Sequence, residues 1–272
     1  MRLILLGSGA VRPDLVRWGP AQVLEVGGTF LLFDCGRGAT MRLVEAGISP
    51  PDVHQVFFTH HHFDHNSDFG YFALVTWVLG RDAPLQVFGP EGTEEFCQVL
   101  FGKLYAKDIQ SRCTRRQATE IKARDIIQEG TVLSTPEFNI TAAITDHMRP
   151  IINSLAYRID SGGRPASPAG GSVVIVGDTT VCDSLKRLAK GADLLVHECT
   201  FPTAAIKKGS WQRWHTPPEE LGRWAKEVGV KRILLKHFAV QERAKVESMA
   251  EEVKKEFKGE VIIGEDLMTL KI

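Results

Sequence analysis

Cysteine is scarce and scattered: Cys35, Cys97, Cys113, Cys182 and Cys199 are the whole set, and no CxxC pair occurs among them. An odd, widely spaced set is not a disulfide framework, and thiolate-zinc spacing is absent too, so any bound metal must be held by histidines and carboxylates. Net charge is also missing. Thirty-three Lys and Arg offset thirty-three Asp and Glu over 272 residues, which removes any global field toward nucleic acid or an anionic membrane and leaves only local patches for such binding. Long apolar runs are lacking as well: the longest early one, Leu3 to Leu6, stops at Gly7 and is too short for a signal-peptide core or a membrane span. A soluble, cytoplasmic protein without membrane contact is the expectation. Low-complexity tracts and short repeats are absent, and the one loose segment, Ser161 to Ser172, is a Gly/Pro/Ser/Ala stretch that reads as an exposed connection.

What is present is ordinary globular composition, 43% hydrophobic and 24% charged, in a chain long enough to bury a sizeable core. Short apolar runs rich in β-branched and aromatic residues predict strands at Leu3 to Leu6, Ala21 to Val26, Thr29 to Phe33, Val53 to Phe58 and Leu85 to Phe88. A second series follows at Ile140 to Ile144, Ser154 to Ile159, Val173 to Val176, Leu194 to Val196, Ile233 to Leu235 and Val261 to Ile263. Helices are expected at Met41 to Ala46, Gly92 to Leu104, Ser184 to Lys190 and Pro217 to Val228; the last has Thr216 and Glu219 as a capping box and Pro217 at its first position. Strands alternating with helices in both halves make this an α/β protein with helices on the outer sheet faces.

The chemistry is concentrated in Thr59-His60-His61-His62-Phe63-Asp64-His65, on the loop leaving the strand Val53 to Phe58. Sites in α/β folds are built on such loops. Burying three histidines and an aspartate unpaired within six positions would be costly, whereas a divalent metal satisfies them together. His60 and His62 can point to one position and Asp64 with His65 to a neighbouring one, giving two metal sites from one loop. A basic segment, Lys103 to Arg124, reads first as a solvated helix face and loop.

The pattern His60-x-His62-x-Asp64-His65 resembles the metal motif of the metallo-β-lactamase superfamily. The other motifs occur in order: Asp34 in Leu-Phe-Asp-Cys-Gly, His147 in Thr-Asp-His, Asp178 in Val-Gly-Asp-Thr-Thr and His237 in Leu-Leu-Lys-His-Phe, each after a predicted strand. The resemblance implies a four-layer αββα sandwich, one domain over residues 1–272 with two pseudo-symmetric halves. It implies one metal on His60, His62 and His147, a second on Asp64, His65 and His237, Asp178 bridging, and Asp34 orienting the histidine loop without touching metal. Two divalent cations are the implied cofactors; zinc suits imidazole and carboxylate best, and manganese or iron suit the same donors.

Within the superfamily, Asp146-His147-Met148-Arg149-Pro150 departs from the third motif of glyoxalase II, and His62 stands where flavo-diiron oxidoreductases have a glutamate. The ribonuclease Z branch matches better, through Leu6-Gly7-Ser8-Gly9, Phe88-Gly89-Pro90-Glu91-Gly92, Val196-His197-Glu198-Cys199-Thr200-Phe201, His215-Thr216 and Glu265-Asp266-Leu267. There Glu198 and His215 match residues that assist proton transfer, so Asp64, Glu198 and His215 are the implied catalytic set. Only Asp160 to Ser172 separates the strands between which many ribonuclease Z proteins insert a long tRNA-gripping arm. A dinuclear phosphodiesterase acting through a metal-bridging hydroxide is the implied function, the metals lying about 3.5–4 Å apart. The substrate class stays open between a small phosphodiester, tRNA 3′ processing with Lys103 to Arg124 in place of the arm, and other small esters such as aryl sulfates or lactones. A metal-binding protein without hydrolysis is disfavoured by the complete ligand set. Phe201, Trp211 and Trp214 are candidates for an aromatic wall beside the site, the resemblance is compatible with a homodimer, and Trp77 is read as core.

Overall fold

The computed structural model describes every residue except 113–119, 163–169, 211 and 241. In its first half lie β1 (Arg2–Gly7), β2 (Ala21–Val26), β3 (Thr29–Phe33), α1 (Ala39–Glu45), β4 (Gln55–Phe57), α2 (Phe63–Asn66), α3 (Phe69–Val78), β5 (Leu85–Pro90), α4 (Thr93–Val99), α5 (Ala106–Arg112) and β6 (Ile121–Ile126). The second half holds β7 (Gly130–Ser134), β8 (Phe138–Thr145), β9 (Ser154–Ser161), β10 (Ser172–Val176), α6 (Asp183–Ala189), β11 (Leu194–Glu198), α7 (Thr203–Lys208), α8 (Pro218–Glu227), β12 (Arg232–Lys236), α9 (Arg243–Glu256), β13 (Glu260–Ile263) and β14 (Thr269–Lys271).

Two seven-stranded sheets result, ordered β14-β1-β2-β3-β4-β5-β6 and β13-β12-β11-β10-β9-β8-β7. Alternation along each strand sends one set of side chains between the sheets and the other toward helices. The inner layer includes Leu24, Phe33, Phe57 and Phe88 from the first sheet and Tyr157, Ile159, Val173 and Leu234 from the second. Phe57 stacks on Phe33 and Phe88 at 5.0 and 4.9 Å between ring centroids, and the Tyr157 ring meets Phe57 edge-on at 5.5 Å. Outside the first sheet, Leu43, Phe69, Phe72 and Cys97 of α1, α3 and α4 cover Val56 and Val87. Outside the second, Leu185, Leu221, Trp224, Met249 and Val253 of α6, α8 and α9 cover Val174, Leu195 and Ile233. This is the four-layer αββα arrangement.

Direction positions the site. β3, β4, β5 and β6 run parallel, as do β10, β11, β12 and β13, and β8 shares the latter direction because it pairs antiparallel to β9, which pairs antiparallel to β10. The loops after β3, β4, β8, β10, β11 and β12 therefore leave carboxyl ends, where α/β sheets open a crevice for ligands.

Several expectations are corrected. The strand at Val53 to Phe58 is only Gln55–Phe57, and the helix Gly92 to Leu104 ends as α4 at Val99, followed by a π turn at Leu100–Leu104. No capping box forms at α8: Pro217 is the N-cap, Pro218 the first helical residue, and no side chain caps the end. Thr216 is recruited elsewhere, its N–H donating to Glu198 Oε1 and its hydroxyl to the Thr179 carbonyl. Lys122 and Arg124 of the basic segment lie in β6, a strand not foreseen, as β7 and β14 were not. Part of that segment, residues 113–119, and most of the Ser161 to Ser172 connection lie outside the described residues. Trp77 is buried as expected, and no helix among the described residues is long and apolar enough to cross a membrane.

The sheets are tied directly beneath the histidine loop by the buried Tyr157 hydroxyl, which donates to the Phe58 carbonyl at 2.7 Å. Tyr157→Phe strands a buried acceptor, and urea denaturation should read a loss of about 1–3 kcal/mol. An unchanged unfolding midpoint would contradict this tie.

Candidate metal centre

The centre is built from six strand ends. β3 ends in Asp34, whose backbone adopts the left-handed region at φ 56°. Its buried carboxylate accepts from the Thr59 N–H at 2.8 Å, from the Thr59 hydroxyl at 3.0 Å and from His65 Nδ1 at 2.9 Å. A carboxylate on Nδ1 fixes the ring so that Nε2 projects with its lone pair free for a cation. Thr59 Oγ1 lies 3.1 Å from His60 Nδ1, so the same aspartate orients two imidazoles, one through a hydroxyl. Gly177, before Asp178, lets the second half approach: a Cβ there would stand 2.4 Å from Thr59 Oγ1 and 3.3 Å from His60 Nδ1.

The structure brings all seven expected donors together. His60, His62, His147 and Asp178 form one group and Asp64, His65 and His237 the other, the donor atoms within each lying within 4.8 Å of one another. In the first group His62 Nδ1 faces His60 Nε2 at 3.1 Å and His147 Nε2 at 3.3 Å; in the second His65 Nε2 faces His237 Nε2 at 3.1 Å. Three ring nitrogens converging on one point cannot all be satisfied by shared protons, whereas the edge of a tetrahedron with metal–nitrogen bonds of about 2.0–2.1 Å is roughly this long. Asp178 lies between the groups, Oδ1 at 3.3 Å from His237 and 3.7 Å from His65, Oδ2 at 4.0 Å from His147. Its buried Oδ1 has no hydrogen-bond partner among the described residues, an orphan acceptor that a cation would satisfy. The donor set therefore fits two divalent metals. His237, like Asp34, has a left-handed backbone, at φ 61°, the kind of sparsely populated geometry found at functional sites.

His215 stands beside the seven. Its Nδ1 is 3.2 Å from Glu198 Oε1 and 4.0 Å from Asp178 Oδ2, and its ring centroid is 5.4 Å from that of His147. Glu198 is fully buried and held by Thr216 N–H at 2.9 Å, Thr200 N–H at 3.0 Å and the Thr200 hydroxyl at 2.6 Å. Thr200, not foreseen, lies also 2.9 Å from His237 Nδ1 and so links the two parts of the site; its position within Glu198-Cys199-Thr200 was its only signal. Lys236 was also missed: its side chain is fully buried, and its Nζ has no hydrogen-bond partner among the described residues. Two histidines turn away. His61 Nε2 meets Thr93 Oγ1 at 2.8 Å, and His197 Nδ1 donates to the Glu198 carbonyl while its ring packs 5.7 Å from Trp224. Phe201 lies 5.4 Å from the His215 ring, the Trp214 carbonyl accepts from His147 Nδ1, and Trp211 lies outside the described residues.

Electrostatics divide the imidazoles. Burial, helped by neighbouring histidines, pushes His60 well below its ordinary value, and burial likewise lowers His62 and His147. Burial would lower His65 too, but Asp34, Asp64 and Asp178 outweigh it and raise that ring to about 9. At His215 the same burial is overcome by Glu198 and Asp178, again to about 9. Burial opposes ionisation of the partner carboxylates, yet His215 draws Glu198 down to about 2, and the surrounding histidines, His237 first, draw Asp178 well below the carboxylate range.

Without metal, His65 and His215 keep their protons to about pH 9 in the folded chain but only to about 6.5 when unfolded. Their contribution to stability is complete below about pH 6.5 and lost as pH rises toward 9. Below about 6.5 the buried neutral His60, His62 and His147 oppose folding, since the unfolded chain takes up protons they refuse. Thermal denaturation of chelator-treated protein should therefore show a maximum near pH 6.5 and a decline toward 9; a rise over that interval would contradict the assignment of these two protons.

With this geometry in hand, comparison with known proteins is direct. Residues 1–257 match the family model described as anti-Pycsar protein Apyc1. The chain is 31% identical to ribonuclease Z of Mycobacterium marinum, over 100% of this chain and 99% of that one. Its fold is similar to the short form of human tRNase Z (TM-score 0.77, 22% identity, 100% of this chain and 99% of that one) and to the metallo-β-lactamase fold protein YhfI from Bacillus subtilis (TM-score 0.74, 23% identity, 99% and 98%). The chain thus belongs to the family described as anti-Pycsar protein Apyc1, in the ribonuclease Z-like branch of the metallo-β-lactamase fold.

Proposed function

We propose that the protein hydrolyses small phosphodiesters with two divalent metals, one on His60, His62 and His147, the other on Asp64, His65 and His237, with Asp178 shared. The observation that carries this reading is the convergence of these seven donors beside a buried His215–Glu198 pair. Two cations there would supply a nucleophile from water at neutral pH and offset charge on the phosphoryl oxygens. Zinc is the metal that the imidazole-rich donor set suits best.

The chain's own residues divide the remaining work. Asp34 holds His65 by its Nδ1, and Thr59 relays that hold to His60, so the ligand rings keep their orientation without rearranging. His215, paired with Glu198 beside the donor groups, is the general acid for the leaving alkoxide. Glu198 acts through that histidine and is itself locked by Thr200 and Thr216. Asp64, expected among the catalytic residues, lies 3.4 Å from His237 Nε2 as a donor of the second group and is assigned no separate proton-transfer role.

A second reading, tRNA 3′ processing, is favoured by full-length relatives that are ribonuclease Z. It needs RNA to be gripped without a long arm, since only residues 162–171 connect β9 to β10. Parallel assays of the metal-loaded protein on a chromogenic phosphodiester and on a precursor tRNA separate the two.

His215→Ala should leave both metals bound. It should slow an ester with a poor alkoxide leaving group by about 10²–10⁴-fold while changing a p-nitrophenolate ester far less, because nitrophenolate departs without a proton. Equal losses on both esters would place His215 in substrate positioning, and loss of metal would place it among the ligands.

A further inference from the structure

Among the seven donors only His237 has a left-handed backbone, at φ 61°. A residue with a Cβ stays in that region only when its surroundings hold it there. The chain on either side of His237 shows what does so. Before it, the Lys236 carbonyl accepts from the Cys199 N–H at 2.8 Å, so the neighbouring strand β11 fixes the entry. After it, the Phe238 N–H donates to the Ser8 carbonyl at 3.0 Å, and Phe238 forms an isolated parallel bridge with Gly9. The exit from this donor is therefore held by the loop after β1, which belongs to the other half of the molecule.

Most of that loop is in solvent, with Arg12, Pro13, Leu15 and Val16 all exposed, but Arg17 folds back. Its guanidinium lies over the Phe238 ring, 4.7 Å from the centroid, and its Nη1 donates to Ser8 Oγ at 2.7 Å and to the Gly264 carbonyl at 2.9 Å. Asp266 completes the network: Oδ1 accepts from the Ser8 N–H at 2.8 Å and hydroxyl at 2.7 Å, and Oδ2 from the Trp18 N–H at 2.8 Å. Gly9 is packed beneath, where a Cβ would stand 2.9 Å from the Arg17 and Trp18 carbonyl oxygens. One planar cation thus grips both partners of the exit contact, the ring of Phe238 and the serine whose carbonyl holds the Phe238 backbone.

Resting on the two-metal reading, we propose that Arg17 is a positioning residue for the second metal: through Phe238 and Ser8 it holds the His237 backbone in the conformation that aims its ring at Asp64 and His65. A ligand ring fixed before the metal arrives binds more tightly than one that must be ordered on binding. This role and the charge of Arg17 have opposite signs. Loss of a cation favours, by charge alone, the binding of another cation, whereas loosening His237 weakens it.

The zinc-loaded full chain and its Arg17→Met and Ser8→Ala variants would be dialysed against graded dipicolinate and the retained zinc measured by atomic absorption. Anomalous peaks from crystals taken at intermediate chelator would locate the zinc left behind. In both variants the zinc among Asp64, His65 and His237 should be held about tenfold more weakly, the lower end of what losing a support of a metal ligand costs. The zinc among His60, His62 and His147 should be held as in the unaltered chain. Ser8→Ala removes the hydroxyl that Arg17 grips and keeps the carbonyl that holds Phe238, so it tests the clamp even where Arg17→Met unfolds the loop. Equal weakening at both groups, no change, or tighter binding at the second would overturn the assignment of Arg17 while leaving the two-metal reading intact. Fewer than two zinc ions on the unaltered chain would overturn that reading and the proposal with it.

Discussion

Two sheets can present their strand ends to one another only if the polar loops at those ends hold each other in place, and the Asp34 carboxylate is where that hold begins. Buried between β3 and the histidine loop, it accepts from the backbone and side chain of Thr59 and from His65. A buried carboxylate left without partners would be costly, so its hydrogen bonds and the loop geometry are mutually enforced. From Thr59 the constraint passes to His60, and the close approach of Gly177 to Thr59 brings the second half into register with the first. The donors for two cations are thus spread over strands of both sheets, and closing the sandwich assembles them.

That assembly concentrates charge where water is excluded. Asp34, Asp64, Asp178 and Glu198 form a buried or nearly buried carboxylate set, and in the metal-free chain they hold protons on His65 and His215, both pushed up to about 9, with the buried Lys236 also in their field. The two protons are not equivalent in fate. The one near the second donor group occupies a ring that a metal must take in neutral form, so metal uptake there is coupled to proton release. The one on His215 lies beside Glu198, outside the donor groups, where the proposed reaction would pass it to the leaving group. One electrostatic environment thereby provides both an affinity for cations and a proton in reserve.

The sequence made the site more legible than the architecture around it. His60-x-His62-x-Asp64-His65 is local, and the single residues Asp34, His147, Asp178 and His237 each follow an apolar run, so strand ends and donors were read together. Edge strands left weaker marks. β6, Ile121–Ile126, carries Lys122, Arg124 and Asp125 and is only partly covered, which looks like a solvated segment, and β14 is three residues long. Thr216 misled for a physical reason: a threonine three residues before Glu219 has the spacing of a capping box, but its N–H and hydroxyl serve Glu198 and the Thr179 carbonyl instead. The hydrogen-bond roles of Thr59 and Thr200 and the burial of Lys236 depend on contacts between distant segments and have no local pattern to betray them.

The central claim is that these donors form two cation sites joined at Asp178, and anomalous scattering from crystals of the protein purified without added metal tests it directly. The account predicts two peaks per chain, one among His60, His62 and His147 and one among Asp64, His65 and His237, each within coordinating reach of Asp178. A single peak, or a peak remote from either donor group, would contradict it.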